Sequence, residues 1–181
     1  WMSYLDREDD VMRYQGQAFN WIGFDELTQW PSPYAWNYMR SRLRTTRASG
    51  LPLYMRATSN PGGPGHQWVK RTFIDPQVPN NAFHATDENG EVIKWPKGHS
   101  REGEPLFKRK FIPATLFDNP YLADDGLYEA NLLSLPEHQR RQLLEGDWDI
   151  NEGAAFPEFN RSMHVIEPYE IPSNWIHFRA C

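Results

Sequence analysis

Cysteine is nearly missing from this chain: Cys181, the last residue, is its single copy. With no second cysteine the sequence excludes an internal disulfide and any multi-cysteine zinc site, a usage compatible with a reducing compartment. Long apolar runs are missing too, none approaching the roughly 20 residues that span a bilayer. Residues 1–10 (WMSYLDREDD) lack the basic-then-apolar character of a secretion signal. Positive charge is in deficit, 19 Lys and Arg against 24 Asp and Glu, for a formal net charge of −5. There is thus no global basic footprint, and nucleic-acid contact has to be local. Gly-Lys does not occur, so the phosphate-cradling pattern GxxxxGK[ST] is absent. The six histidines show no HExxH or other metal spacing and read as surface or core residues. Internal repeats and low-complexity tracts are absent as well.

What is present suits a folded core. Hydrophobic residues make up 39% of the 181 and aromatics 14%, with eight tryptophans, enough for one ordinary domain or pieces of two. The tryptophans and tyrosines sit mostly at strand and helix positions, where core packing precedes base stacking as an explanation. The first residue is Trp and the last stretch is WIHFRAC, without a turn or polar tail. The expectation is an internal segment of a longer protein.

Along the chain, residues 18–24 (AFNWIGF) are aromatic and β-branched enough for a strand buried on both faces, as in a parallel sheet. A helix is expected next, with Ser32 as N-cap, Pro33 at its first position and Gly50 just past its end. Trp36, Met39 and Leu43 would share one face and Arg40, Arg44 and Arg47 another. Residues 51–61 (LPLYMRATSNP) form the next strand, which makes a βαβ signal. A short helix (GHQWVKRTFI), a hairpin over 82–95 turning at ENG, and a strand over 106–117 follow. Two helices are expected over 124–133 and 136–145, the second with a capping box from Ser134 to Glu137 and a stop at Gly146. NWIHFRAC is the last strand signal.

Two motifs carry chemistry. Asp25 and Glu26 end the first strand, where the carboxyl edge of a parallel sheet faces the crevice that binds ligands. In P-loop ATPases the first acid of such a pair holds hydrated Mg2+ and the second orients or deprotonates the attacking water, two jobs that need adjacent carboxylates at different angles. The plain alternative is that the pair starts a loop and caps a helix. Thr58, Ser59 and Asn60 reach the same edge from the second strand and offer hydroxyl and amide groups that can sense a γ-phosphate. Alone, they are a strand end before a Pro/Gly turn. Lys97, His99, Arg101, Lys108, Arg109 and Lys110 form a local basic cluster, diluted by Glu102 and Glu104 and read as a surface strand.

In combination, YQGQAFNWIGFDELTQW, RATSNPGG, FIPATLFDNPYL and LLEGDWDINEGAAF, in this order, resemble the large terminase subunit of tailed bacteriophages or prophages, from near Tyr14 to the C-terminus. The resemblance implies an α/β fold: the later part of a P-loop (ASCE-type) ATPase sheet with helices over 1–122, a small helical lid or linker over 123–152, and the first strand of an RNase H-like nuclease domain over 153–181. It implies a DNA-packaging motor in which ATP hydrolysis drives double-stranded DNA into a procapsid and an endonuclease cuts the concatemer. Asp25 then matches the Walker B metal acid, Glu26 the catalytic glutamate, and Thr58, Ser59 and Asn60 the motif coupling hydrolysis to movement. ATP and Mg2+ are the implied cofactors. The implied partners are DNA, the portal protein, the small terminase subunit and further copies in a ring, in the host cytoplasm at the procapsid portal, with no membrane.

Arg40, Arg44 and Arg47 are candidates for DNA phosphates or a neighbour's ATP, beside the simpler reading of a solvated helix face. The phosphate-binding loop and the adenine contacts belong upstream of this segment and the nuclease carboxylates beyond Cys181, so the segment alone is expected to be inactive. A superfamily-2-like helicase segment also carries a DE pair and a Ser/Thr-rich coupling motif. A non-catalytic prophage-derived module that only binds portal or capsid protein is the alternative outside enzymes.

Overall fold

The computed structural model describes residues 2–45, 49–87, 89–124, 126–150, 164–166, 172 and 175. The chain divides into two units, Trp1–Asn151 and Glu152–Cys181, and the elements named below belong to the first. Apart from Trp175, the expected nuclease strand lies outside the described residues, as does Arg47.

Strands β1 (Trp21–Phe24) and β2 (Tyr54–Ala57) pair in parallel, with Ile22 opposite Met55 and Phe24 opposite Ala57. Between them runs helix α1 (Tyr34–Arg40), giving the strand–helix–strand order that the sequence pattern suggests. β1 is not buried on both faces, however. Ile22 and Phe24 are buried whereas Trp21 is half exposed, so the alternation of a one-sided strand replaces the continuous burial of a central parallel one.

Helix α1 is far shorter than expected. Ser32 lies one residue before the N-cap position, with its hydroxyl accepting the Tyr34 N–H at 3.2 Å, and the helix stops at Arg40. The backbone after it is claimed by Phe19: its N–H donates to the Arg42 carbonyl and its own carbonyl accepts from Arg44, both at 3.0 Å. Leu43 thereby becomes a parallel bridge partner of Phe19 rather than a helix-face residue. An apolar side chain at that spacing fits either role, and tertiary pairing decides.

The core gathers Val11 and Tyr14 of a 3₁₀ segment (Glu8–Tyr14), Ile22 and Phe24 of β1, Leu27, then Ala35, Trp36 and Met39 of α1, and Trp68 and Val69 of helix α2 (His66–Val69). Phe24 meets Trp36 at 5.5 Å between ring centroids, and Trp36 meets Phe73 edge-on at 5.6 Å. Phe73 belongs to a single π-helical turn (Lys70–Ile74) that continues α2. Truncating a buried tryptophan such as Trp36 costs about 3–5 kcal/mol. Gly65 fits here for want of space: its φ of −93° suits any residue, but a Cβ would sit 2.0 Å from the Trp30 carbonyl oxygen.

A second sheet pairs β3 (Ala82–His84) antiparallel with β4 (Lys108–Lys110). The expected hairpin turn is present, closed by Asp87 N–H to the Glu91 carbonyl at 2.9 Å and by Ile93 N–H to Ala85 at 2.9 Å. The ladder partner of β3, however, is β4 and not the returning arm of that hairpin. Helices α3 (Pro120–Ala123), α4 (Leu127–Leu133) and α5 (Glu137–Leu144) follow, with Gly146 in the left-handed region at φ +63° as the stop. The Ser134 capping box does not form. The Ser134 hydroxyl donates back to the Asn131 carbonyl at 2.7 Å, and Pro136 holds the N-cap position. Among the described residues no helix is long and apolar enough to cross a membrane.

The segment after α5 returns to α2. Trp148 stacks on buried His66 at 5.4 Å, and Lys70 pairs with Asp149 at 2.6 Å. His66 Nδ1 accepts the Gly62 N–H at 2.8 Å, which requires an unprotonated nitrogen there. Burial holds its pKa below the ordinary histidine value. The unfolded chain therefore binds a proton that the folded one resists. Stability contributed here is present above about pH 6.5 and is lost as pH falls from there toward the lowered folded value. Urea unfolding at pH 7.5 and 5.5 is expected to show wild type losing more stability on acidification than His66→Gln. Equal losses in the two proteins would contradict this assignment.

Candidate functional site

The parallel ladder does not stop where the strands do. Thr58 N–H donates to the Phe24 carbonyl and Leu27 N–H to the Thr58 carbonyl, both at 3.0 Å, so the two loops leave the sheet locked together. Asp25 and Glu26 stand on one loop and Thr58, Ser59 and Asn60 on the other. The two sequence motifs, 33 residues apart, meet in a direct bond: the Thr58 hydroxyl donates to Asp25 Oδ1.

Glu26 takes a backbone that its residue type disfavours, φ 50° and ψ 57°, in the left-handed region. For a residue with a Cβ this costs roughly 1–2 kcal/mol. Glu26 leads into a 3₁₀ turn, Leu27–Gln29, closed by the Gln29 N–H on the Glu26 carbonyl at 2.9 Å.

Ser59 and Asn60 both bond to Thr28. Ser59 Oγ accepts the N–H of Thr28 at 2.9 Å and donates to Thr28 Oγ1 at 2.8 Å. Thr28 Oγ1 in turn donates to the Asn60 carbonyl at 3.0 Å, and the Thr28 carbonyl accepts the Gly65 N–H at 2.7 Å. Thr28 is 1% exposed, so Ser59 satisfies a buried backbone donor. Of the three motif side chains, Thr58 is the one bonded to an acid of the pair. Thr28, the hub, carries no sequence signal that would have singled it out.

Asp25 and Glu26 line an open cleft of about 440 Å3 together with Asp6, Arg7, Glu8 and Trp30. Glu8 is held there by the Ser32 hydroxyl at 2.6 Å. The acidic run in residues 6–10 is visible in the sequence, but nothing in it told that it would face the DE pair. Four carboxylates against one guanidinium suit a hard cation. Among the described residues no group of three or more His, Cys, Asp or Glu side chains is placed to hold a metal ion. Mg2+ does not need one, since it keeps several waters and typically takes one or two carboxylates plus substrate phosphates. The Asp25 carboxylate fits that role. A triphosphate finds less: the cleft has no glycine-rich loop with a lysine, and Arg7 is the single cation on its wall.

The arginine stripe is not assembled. Arg40 ends α1 with its guanidinium 4.4 Å from the Phe107 ring centroid, while Arg44 lies beyond the helix and donates to the carbonyls of Gly16 at 2.8 Å and Gln17 at 2.9 Å. The two serve different elements because the helix that would have aligned them has already ended.

Two substitutions check this geometry. Glycine tolerates the left-handed region that alanine does not, so Glu26→Gly is expected to be more stable than Glu26→Ala by about 1 kcal/mol. The opposite order in urea unfolding would contradict the backbone at Glu26. Ser59→Ala strands the buried Thr28 N–H and is expected to cost about 1–3 kcal/mol, read as a Tm lowered by roughly 2–4 °C per kcal/mol.

Compared with known protein families, curated proteins and solved structures, the chain matches none.

Proposed function

We propose that this chain is the hydrolysis-and-coupling part of a DNA-packaging ATPase of the large terminase type. The observation that carries the reading is the Thr58–Asp25 bond, which joins the two motifs of the resemblance at one edge of a parallel strand pair. Bound at Asp25, Mg2+ would offset the charge of the phosphate oxygens as they approach an otherwise acidic cleft.

Glu26 is the general base. Its carboxylate takes a proton from the water that attacks the γ-phosphorus, while the bond from that phosphorus to the bridging oxygen of ADP breaks in line. In this reading one acid of the pair, Asp25, serves the cation and the other, Glu26, the water. Thr58 is the sensor: its hydroxyl donates to Asp25, and a bound nucleotide would offer it a phosphate oxygen as the alternative acceptor. A shift there passes to Thr28 and on to Gly65 through the bonds that Ser59 and Asn60 make. Gly62 and His66 extend the same path to Trp148. In this reading double-stranded DNA is the translocated substrate, and the portal protein, the small terminase subunit and further copies of the chain are the assembly partners.

The test is kinetic. The 181 residues alone are expected to hydrolyse ATP no faster than their Glu26→Gln variant. Joined in one polypeptide to a GxxxxGK[ST]-bearing segment, they are expected to show Mg2+-dependent hydrolysis that Glu26→Gln lowers by about 10²–10⁴-fold, with Asp25→Asn raising the Mg2+ requirement. Turnover that survives Glu26→Gln would refute the role of Glu26.

A further inference from the structure

A second cleft, of about 280 Å3, shares no lining residue with the first. Arg40, Arg71 and Arg109 line it, beside Trp36, Trp68 and one carboxylate, Asp87. These arginines come from three places: the end of α1, the π turn after α2, and the centre of β4.

Their charges are poorly matched by the protein. Arg40 lies over Phe107 at 4.4 Å, and Arg109 lies over the same ring at 5.7 Å and over Phe73 at 5.6 Å. Aromatic faces attract a guanidinium but accept none of its in-plane N–H bonds. The one hydrogen bond these guanidiniums make among the described residues is a long one, Arg109 Nη1 to the Thr86 carbonyl at 3.4 Å. No carboxylate among the described residues forms an ion pair with any of the three. Asp87 is occupied by its own turn, its Oδ1 accepting the N–H groups of Asn89 at 2.9 Å and Glu91 at 3.0 Å.

Burial, with the Arg40 charge alongside, brings the Arg109 pKa down to about 10. Arg109 still carries its proton at neutral pH, held next to a like charge. Packing alone gives no reason for that arrangement, since an apolar side chain would cover Phe107 without the desolvation and repulsion.

We propose that this cleft is an oxyanion site that takes a phosphate group between the guanidinium forks of Arg40, Arg71 and Arg109. Planar forks match the oxygens of a phosphate in pairs, and three of them suit its charge better than that of a single carboxylate. The volume lies below the roughly 300–1,000 Å3 of sites that enclose a drug-sized ligand. The site therefore holds one phosphate while the rest of its molecule, nucleotide or polynucleotide backbone, stays outside.

The test is binding to the 181-residue chain of three probes, a labelled DNA duplex, ATP and inorganic pyrophosphate, each with wild type, Arg109→Gln, Arg71→Gln and Glu26→Gln. At least one probe is expected to bind wild type and Glu26→Gln alike, and about tenfold or more weakly to either arginine variant. If the duplex is the tightest, its salt slope is expected to fall by about one for each arginine removed, assigning the phosphate to a polynucleotide. If ATP or pyrophosphate binds and the duplex does not, the phosphate is that of a small molecule. Arg71 is exposed at the rim, so Arg71→Gln keeps the test valid should Arg109→Gln fail to fold. Binding unchanged in Arg71→Gln, or no binding of any probe to wild type, would overturn the site. Because Glu26→Gln removes only the proposed base of the first cleft, phosphate binding that it leaves unchanged while the arginine variants weaken it separates this site from the hydrolytic one.

Discussion

Everything at the first cleft depends on the register of two four-residue strands. Parallel pairing of β1 with β2, continued by the backbone bonds among Phe24, Thr58 and Leu27, sets Asp25 and Thr58 side by side. Side chains alternate with period two along a strand, so a one-residue slip would turn Ile22 and Phe24 out of the core. The core therefore enforces the register, and the register places the acids. Burial of Phe24 against Trp36, and of Trp36 against Phe73, is how an apolar stack holds a polar edge in place.

The polar bonds behind that edge form a continuous path. Thr28 receives bonds from Ser59 and Gly65 and gives one each to Ser59 and Asn60, so the loop after β2 and the start of α2 share a single buried hydroxyl residue. From Gly62 the path reaches His66 and then Trp148, which belongs to the segment after the α4–α5 pair. Gln142 of α5 also faces this turn, since a Cβ on Gly62 would meet its amide at 3.2 Å. The helical segment is thus anchored to the turn that follows the Thr58–Asn60 loop, and neutral His66 is the joint.

Local chemistry made part of this legible in advance. The βαβ order, the DE pair at a strand end, the Thr58–Asn60 stretch reaching the same edge, the paired helices and the stop at Gly146 all follow from patterns within a few residues. What escaped was decided by tertiary contacts. Leu43 has the spacing of a helix face, yet Phe19 takes its backbone into a bridge. Ser134 has the sequence of a capping residue, yet its hydroxyl bonds back to Asn131. Ser59 satisfies a buried N–H of Thr28, a partner 31 residues away that no local pattern names. Arg40, Arg71 and Arg109 are brought together from three elements by no local pattern, and the stripe that was legible, Arg40 with Arg44, does not form.

Both clefts are built on opposite charge logic, one acidic with a single arginine and one basic with a single carboxylate on its wall. The account stands or falls on whether the acidic one places a divalent cation at Asp25. The direct measurement is paramagnetic line broadening of backbone amides on titration with Mn2+, an ion that prefers the same oxygen donors as Mg2+. Broadening centred on Asp25, Glu26 and Thr58, abolished by Asp25→Asn, is the expected result. Broadening centred elsewhere, or unchanged in Asp25→Asn, would contradict it.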